Sequence, residues 1–498
     1  MELQFQNQTH SCLKPILEET KQVELTQELR LGDGMPDVGR ILGTWGVPII
    51  RTKQWSGDQI TVSGGVMAWV LYTPEDGTEC RSVDLWIPFQ MRWEIPVCER
   101  DGTIRALPLV RFADSRTLSS RKMMVRVGVA VHGQALCPME FEFAESGDAM
   151  DGVELLKRTY PVRLFKGVGE KIFTLDEEFT VPEHLPVPAK VLRYLIIPEI
   201  TEKKVLGDRI LFRGNLNVNL LYRGTEGNIC SWAGPLPFSQ FEETDFSMEP
   251  DANVELDVLV TGLELDLVEN RLHLKCNLAA QYLVDEQMLL ELVEDAYGLN
   301  RDVIAQEDTL HLPVILERRT DTVNGEQMLH GKRGEVLDVV FLPDFPRRRR
   351  SGSESEMELS GTFYVLTRGE DGTIQSNSAR WEGTKALSAG EECNMDSRIS
   401  GIGPIQTVDT IDGTSLSVSM QMETSTQTNQ GLNMIIGVEL GANQERNSDR
   451  PSLILCKAGK ENLWEIAKRC GSTVGAIQQA NKLDEEPPED RFLLIPVS

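Results

Sequence analysis

An internal repeat of about 150 residues limits the possible folds of this chain more than any other feature of its sequence. Residues 57–64 recur at 207–214 with Gly, Asp and Ile at the same places, and Leu71-Tyr72 recurs as Leu221-Tyr222. A third, weaker copy of this pattern includes residues 359–366. Solenoid repeats have much shorter periods of roughly 20 to 50 residues. Each copy should therefore be a domain or most of one.

The local pattern inside each copy is that of β-strands. Along residues 215–222, apolar residues alternate with asparagines, which predicts a strand with one buried face. The equivalent strand at residues 66–72 is apolar on both sides, so it should be covered on both faces or lie at an interface. Residues 269–271 and Asp412-Gly413 predict hairpin turns between alternating strands. These patterns indicate antiparallel sandwiches or open barrels.

Charge and composition exclude several classes of protein. The net charge is -27, which leaves too little basic surface for nucleic acid, so no nucleic acid partner is expected. The N-terminus lacks the basic and apolar regions of a signal peptide, and no apolar run is long enough for a transmembrane segment. The nine cysteines are dispersed and show no C-x-x-C spacing, which predicts reduced thiols in a cytoplasm.

Motifs for catalysis or cofactor binding are not recognisable in the sequence. None of the six histidines has another His or a Cys at a metal-ligand spacing, and neither a phosphate-binding loop nor a nucleophile elbow occurs. We therefore expect no catalytic residue, no metal, no cofactor and no enzymatic activity. The basic run at residues 347–350 is unusual in so acidic a chain. It indicates either a solvated loop or a contact to an acidic partner surface or an anionic membrane face.

The last 46 residues read as strand, helix, helix, strand. Leu463, Ile466 and Ala467 share one helix face, and the second helix follows an N-cap at Ser472 or Thr473. The sequence of residues 463–469 and 476–481 resembles that of a LysM domain, a small module that binds N-acetylglucosamine polymers or proteins. LysM domains usually carry Gly-Asp-Thr-Leu in the first loop, whereas here residues 459–463 read Gly-Lys-Glu-Asn-Leu.

The LysM resemblance implies a groove that binds a partner or a glycan. Trp464 is either a core aromatic or a partly exposed anchor for a partner. The candidate groove residues are Gly459, Lys460, Glu461, Asn462, Leu463, Trp464, Ile477, Asn481, Lys482 and Leu483.

The repeats resemble the SPOCS domain of spore-coat-associated proteins. The resemblance is carried by the Gly-Asp-x-Ile-x-x-x-Gly stretch, the Leu-Tyr strand end and the sequence Glu-Asp-Ala-Tyr at residues 294–297. It implies a mainly β protein with tandem antiparallel SPOCS-like domains at residues 1–165, 166–300 and 301–445, the third divergent. A small α+β (βααβ) LysM domain would follow at residues 446–498.

This combination of domains implies a non-enzymatic scaffold or adaptor in spore coat or envelope assembly. The implied partner is a SpoIVA-like coat-base ATPase, bound through the LysM domain in the mother-cell cytoplasm at the forespore surface. The β domains would supply self-association or further coat contacts. An alternative is a protein of the cell wall or spore cortex that binds peptidoglycan or chitin-type oligomers. A third hypothesis is a carbohydrate-active enzyme that uses its LysM domain for targeting.

Overall fold

The protein is mainly β, as predicted from its sequence. The computed structural model describes residues 2–4, 6–75, 80–98, 102–146, 152–330, 334–351, 354–387, 393–443, 451–459, 461–483 and 491–497. Within these residues the strands pair in antiparallel sheets, and two short helices lie near the C-terminus.

Three successive sets of strands correspond to the three copies of the sequence repeat. The first repeat comprises β1 (Glu2–Gln4), β2 (Gln6–Arg30), β3 (Val38–Ser56), β4 (Gln59–Pro74), β5 (Arg81–Glu94), β6 (Thr103–Ser119) and β7 (Lys122–Ser146). The second comprises β8 (Val153–Phe179), β9 (Pro188–Leu206), β10 (Arg209–Gly224), β11 (Ile229–Glu243), β12 (Asn253–Val268) and β13 (Arg271–Gly298). The third comprises β14 (Arg301–His330), β15 (Glu335–Pro343), β16 (Arg347–Ser351), β17 (Glu354–Arg368), β18 (Ile374–Leu387), β19 (Asn394–Ile402), β20 (Gln406–Asp409) and β21 (Gly413–Asn443).

The three repeats share one pattern of strand connections, which is divided into more strands in the third repeat. A long first strand pairs with the long last strand of its own repeat, giving the pairs β2 with β7, β8 with β13 and β14 with β21. The strand just before the last one pairs with it as well, as in β6 with β7 and β12 with β13. The strands in between form a separate sheet, which is β3-β4-β5 in the first repeat and β9-β10-β11 in the second. In the third repeat, β17 is the central strand of that sheet.

Glycine explains the motif that repeats at the entry to the central strand. Gly57 and Gly207 have positive φ angles of 60° and 63°, as the tight turns before β4 and β10 require. At Gly64 and Gly214 an added Cβ would overlap the carbonyl oxygen of residue 49 or 199 on the neighbouring strand. Only glycine allows this close approach of two strands, so the same residue recurs at the same place.

Burial confirms the strand patterns predicted from the sequence. Leu216 and Val218 on β10 are buried, and the asparagines on either side of each are less so. On β4, Trp69 and Leu71 belong to a core that also contains residues of the second and third repeats, whereas residues 66, 68, 70 and 72 pack into the core of the first repeat. Strand β4 is therefore covered on both faces, as its continuous apolar sequence predicted. The turn at Glu269 and Asn270, both with positive φ, confirms the predicted hairpin of β12 and β13.

The repeats share sheets as well as cores. Leu13 of β2 pairs with Phe165 of β8, which joins strands of the first and second repeats into one six-stranded sheet. Strand β1 pairs with β21 of the third repeat. The predicted boundary between residues 165 and 166 falls inside the continuous strand β8. The remaining predicted domain limits stay predictions.

A buried network of ion pairs joins all three repeats. Glu255 of β12 lies 2.8 Å from Arg105 of β6, 2.7 Å from Arg398 of β19 and 3.0 Å from Arg318 of β14. Asp257 also pairs with Arg105 and Arg398. Burial alone would favour the protonated acid, but the three guanidinium groups hold the pKa of Glu255 well below its usual range. Each repeat thus contributes buried charges that are compensated by opposite charges from another repeat.

Two expectations from the sequence need correction. Cys98 and Cys137 form a disulfide, although the dispersed cysteines predicted reduced thiols. The pairing of Thr103 with Leu136 places Cys98, which lies just before β6, beside Cys137 on β7. The basic run at residues 347–350 is not a loop but part of β16, which pairs with the acidic start of β17. Its charges are there partly neutralised, as in the pair between Arg349 and Glu358.

Candidate functional site

The C-terminal module consists of two paired strands and two helices. Strand β22 (Leu453–Lys457) pairs with β23 (Phe492–Pro496), and α1 (Leu463–Cys470) and α2 (Val474–Asn481) lie between them in the chain. Asn462 caps α1 by accepting a hydrogen bond from the Glu465 amide, while the Glu465 carboxylate accepts one from the Asn462 amide. Thr473, one of the two N-cap candidates from the sequence, caps α2. These caps explain why two such short helices begin where they do.

Several residues of the predicted groove belong to the core of the module. Leu463 and Ile477 are buried, and Leu483 packs against the same apolar cluster. Asn481 joins the end of α2 to β23, because its amide group accepts a hydrogen bond from Leu494 N at 2.7 Å and donates one to Leu494 O at 2.6 Å. These four candidates therefore stabilise the fold of the module.

The remaining candidates lie at the surface of the module. Gly459, Glu461 and Asn462 are exposed in the loop before α1, and Lys482 is exposed after α2 in a left-handed conformation with φ 53°. Lys460 lies outside the described residues.

The two predicted loops meet at Arg491, a residue that the sequence analysis did not single out. Its carbonyl oxygen accepts a hydrogen bond from Ala458 N at 2.7 Å, next to the first loop. Its guanidinium group donates to the carbonyl oxygen of Asn481 at 3.3 Å, next to the second loop. Glu461 at the first loop forms an ion pair of 2.7 Å with Arg469 of α1. The role of the predicted groove residues in binding stays a prediction.

Trp464 contacts the second repeat of the same chain. Its indole Nε1 donates a hydrogen bond of 2.8 Å to Asp295 Oδ2, and its ring lies edge-on to Tyr297 with 4.7 Å between the centroids. Lys468, one turn further along α1, forms an ion pair of 2.8 Å with the same Asp295. The Tyr297 hydroxyl donates to the carbonyl oxygen of Ser472 at 2.8 Å. Helix α1 therefore docks the module onto the end of β13.

This docking uses the Glu-Asp-Ala-Tyr sequence at residues 294–297. Burial raises the pKa of Tyr297, with the carboxylates of Glu154 and Asp295 acting in the same direction, so its hydroxyl stays protonated as a donor. Tyr297 also belongs to the same apolar cluster as Trp464. A motif that carried part of the SPOCS resemblance in the sequence is thus a receptor for the C-terminal module.

The outer face of the module is exposed and mostly apolar, with the charged Lys457 at one end of it, opposite Phe492. Side chains alternate along β22 and β23, so the inward residues Leu493 and Ile495 are fully buried, while the outward residues reach solvent. The exposed fractions of the outward side chains are 51% for Leu453, 64% for Leu455, 62% for Phe492 and 41% for Leu494. We call these four residues the outer apolar face. Contiguous apolar surface of this kind marks sites of interaction with other molecules.

Comparison with known proteins identifies one part of the chain. Residues 189–268 match the family model described as SipL, SPOCS domain, so the chain resembles SipL in this segment. A search of curated proteins and a search of solved structures found no significant match.

The matched segment corresponds to definite structural elements. It contains nearly all of the sheet β9-β10-β11 together with β12, and it ends where β12 ends. The long strands β8 and β13 lie outside it. Strands β3 to β6 of the first repeat have the same connections as this matched unit. Within the part of the chain that the structure describes, no helix has the length and apolar character needed to cross a membrane.

Proposed function

We propose that the protein is a non-enzymatic scaffold in spore coat or envelope assembly that docks a protein partner through its C-terminal module. The match of residues 189–268 to the SipL SPOCS domain supports a sporulation-related protein with protein partners. The module has the order strand, helix, helix, strand, and the resemblance of its sequence to a LysM domain supports a docking role. The partner that this resemblance implies is a SpoIVA-like coat-base ATPase.

The outer apolar face of the module is the observation that carries this proposal. Three of its four side chains are more than half exposed, and a folded partner would remove them from water. The surface of a glycan is rich in hydroxyl groups and would remove less apolar area from water at these side chains. Docking through Trp464 directs α1 toward the second repeat, while the outer apolar face belongs to the opposite side of the sheet and stays free for a partner.

A titration of the full chain against the purified SpoIVA-like ATPase tests this proposal. Leu455→Lys places a charge in the middle of the outer apolar face and should weaken binding at least tenfold, or about 1.4 kcal/mol. The matched control is Leu289→Lys on β13, because Leu289 is 66% exposed but lies outside the module. This control should bind like the unchanged protein.

Peptidoglycan and chitin-type oligomers should be titrated in parallel. Tight binding of these oligomers by the full chain, with no binding of the ATPase, would contradict the proposal and support the wall or cortex alternative. Equal loss of ATPase binding in Leu455→Lys and Leu289→Lys would show that the outer apolar face is not the docking surface.

A further inference from the structure

We propose that Glu18, His132 and Asp396 form a zinc-binding site that links the first repeat to the third. Glu18 lies on β2, His132 on β7 and Asp396 on β19. One ligand atom from each of these residues lies within 4.8 Å of the other two. The three residues are separated by more than a hundred positions in the sequence, so no motif spacing reveals the group.

The imidazole of His132 is oriented as a metal ligand requires. Its Nδ1 lies 3.0 Å from the hydroxyl of Thr20, which can accept a hydrogen bond from the tautomer that has its proton on Nδ1 and its lone pair on Nε2. Among the described residues, Nε2 is buried and has no hydrogen-bond partner, and the nearest carboxylate oxygen, Asp396 Oδ1, is 3.6 Å away. A buried nitrogen without a partner is unfavourable unless something else occupies that position.

Carboxylates in this region outnumber the cations that reach them. The nearby guanidinium groups of Arg105 and Arg398 are held by Glu255, Asp257 and Glu423 in the buried network. Among the described residues, neither Glu18 nor Asp396 forms an ion pair with a lysine or an arginine. Glu18 receives one long hydrogen bond, 3.3 Å, from the side-chain amide of Gln134. A divalent cation would compensate both charges at once.

Zinc fits this donor set because it accepts imidazole nitrogen and carboxylate oxygen at about 2.0–2.2 Å. Donors of one tetrahedral zinc lie roughly 3.3 Å apart, so the two carboxylates need only small rotations to converge on Nε2. The group borders an open cleft of about 470 Å³. That cleft leaves room for water as a fourth ligand.

Metal binding to the full, metal-free chain tests this site. We expect one equivalent of Zn²⁺ or Co²⁺ to bind and to raise the midpoint of thermal unfolding, because the ion would join strands of two repeats. His132→Gln and Asp396→Asn should each weaken binding more than about tenfold. The Co²⁺ complex should show visible bands without a thiolate charge-transfer band, which separates this site from the cysteines.

His273→Gln is the matched control. His273 also faces a carboxylate, Asp176 Oδ1 at 2.6 Å, but it belongs to no such three-residue group among the described residues. Its substitution should leave the affinity unchanged. Thr20→Val keeps all three ligands and should weaken binding by roughly tenfold through loss of the orienting hydroxyl, even if the direct variants fold poorly.

Two results would overturn the proposal. One is Zn²⁺ binding that His132→Gln leaves at full strength, which would move the site to other ligands. The other is the absence of stoichiometric binding, which would leave His132 and Asp396 as close neighbours with no metal between them.

Discussion

Asp295→Asn should release the C-terminal module from the second repeat. The wild-type carboxylate accepts a charge-assisted hydrogen bond from the Trp464 indole and pairs with Lys468, both at 2.8 Å. Bonds to charged groups contribute about 1.5–3 kcal/mol, and half-exposed ion pairs add about 0.2–1 kcal/mol. Asparagine keeps the shape and can still accept one neutral bond. The net loss should be about 2 kcal/mol, which is roughly a thirtyfold rise in the undocked population.

Exchange of the Trp464 indole proton with solvent measures this opening directly. With tryptophan labelled by ¹⁵N, each indole gives its own signal, and Trp464→Phe identifies the relevant one. Since the proton exchanges only when its bond to Asp295 opens, its exchange rate should rise by about the same factor as the undocked population.

Glu291→Gln on the same strand is the control for this experiment. Its ion pair with Lys157 is long, 3.6 Å, and solvent-exposed, so the exchange rate of the Trp464 indole should not change. An exchange rate in Asp295→Asn within twofold of the unchanged protein would refute the reasoning. It would show that the contacts of Tyr297, its packing against Trp464 and its hydrogen bond to Ser472 O, are enough to hold the module.

Three further predictions concern stability, each measured by urea unfolding. Gly214→Ala should lower the free energy of unfolding by about 3 kcal/mol because the new Cβ overlaps a neighbouring carbonyl, whereas Gly475→Ala on α2, where no atom is near, should not lower it. Glu255→Gln should cost about 3–5 kcal/mol at neutral pH. Because the folded state lowers the pKa of Glu255, this contribution exists above its unfolded pKa of about 4.3 and disappears as the pH falls, so both proteins should converge in acid. Cys98→Ser should cost about 4 kcal/mol without reductant and much less with it, since the Cys98–Cys137 disulfide closes a loop of 39 residues.

Local patterns in the sequence predicted local structure well. Alternating residues predicted the buried face of β10, and the alternating strands on either side of residues 269–271 predicted the turn at Glu269 and Asn270. The pairing partners of the long strands could not be predicted in this way. An alternating pattern fixes which face of a strand is buried but does not say which distant strand lies beside it. The joining of β2 to β8 in one sheet therefore appears only in the structure.

In the candidate site, too, local features were predicted from the sequence and long-range contacts were not. The order of strands and helices and the cap at Thr473 were predicted correctly, because caps and periodicity are local properties. Trp464 was recognised as important, but its contact with Asp295 joins residues 169 positions apart. The outer apolar face was missed because exposure depends on what covers a strand, and short strands of Leu and Phe look alike whether covered or open.

The pairing of long first and last strands has a consequence for how the chain folds. Strands β3, β4 and β5 follow one another closely and can pair soon after they are synthesised, whereas β2 must wait for β7, since Arg30 pairs with Lys122 and Gln6 with Ser146. Closing such large loops costs entropy before any contact repays it. We therefore expect each repeat to fold slowly, from its central sheet outward. The pairing of β1 with β21 can form only after the third repeat has been made.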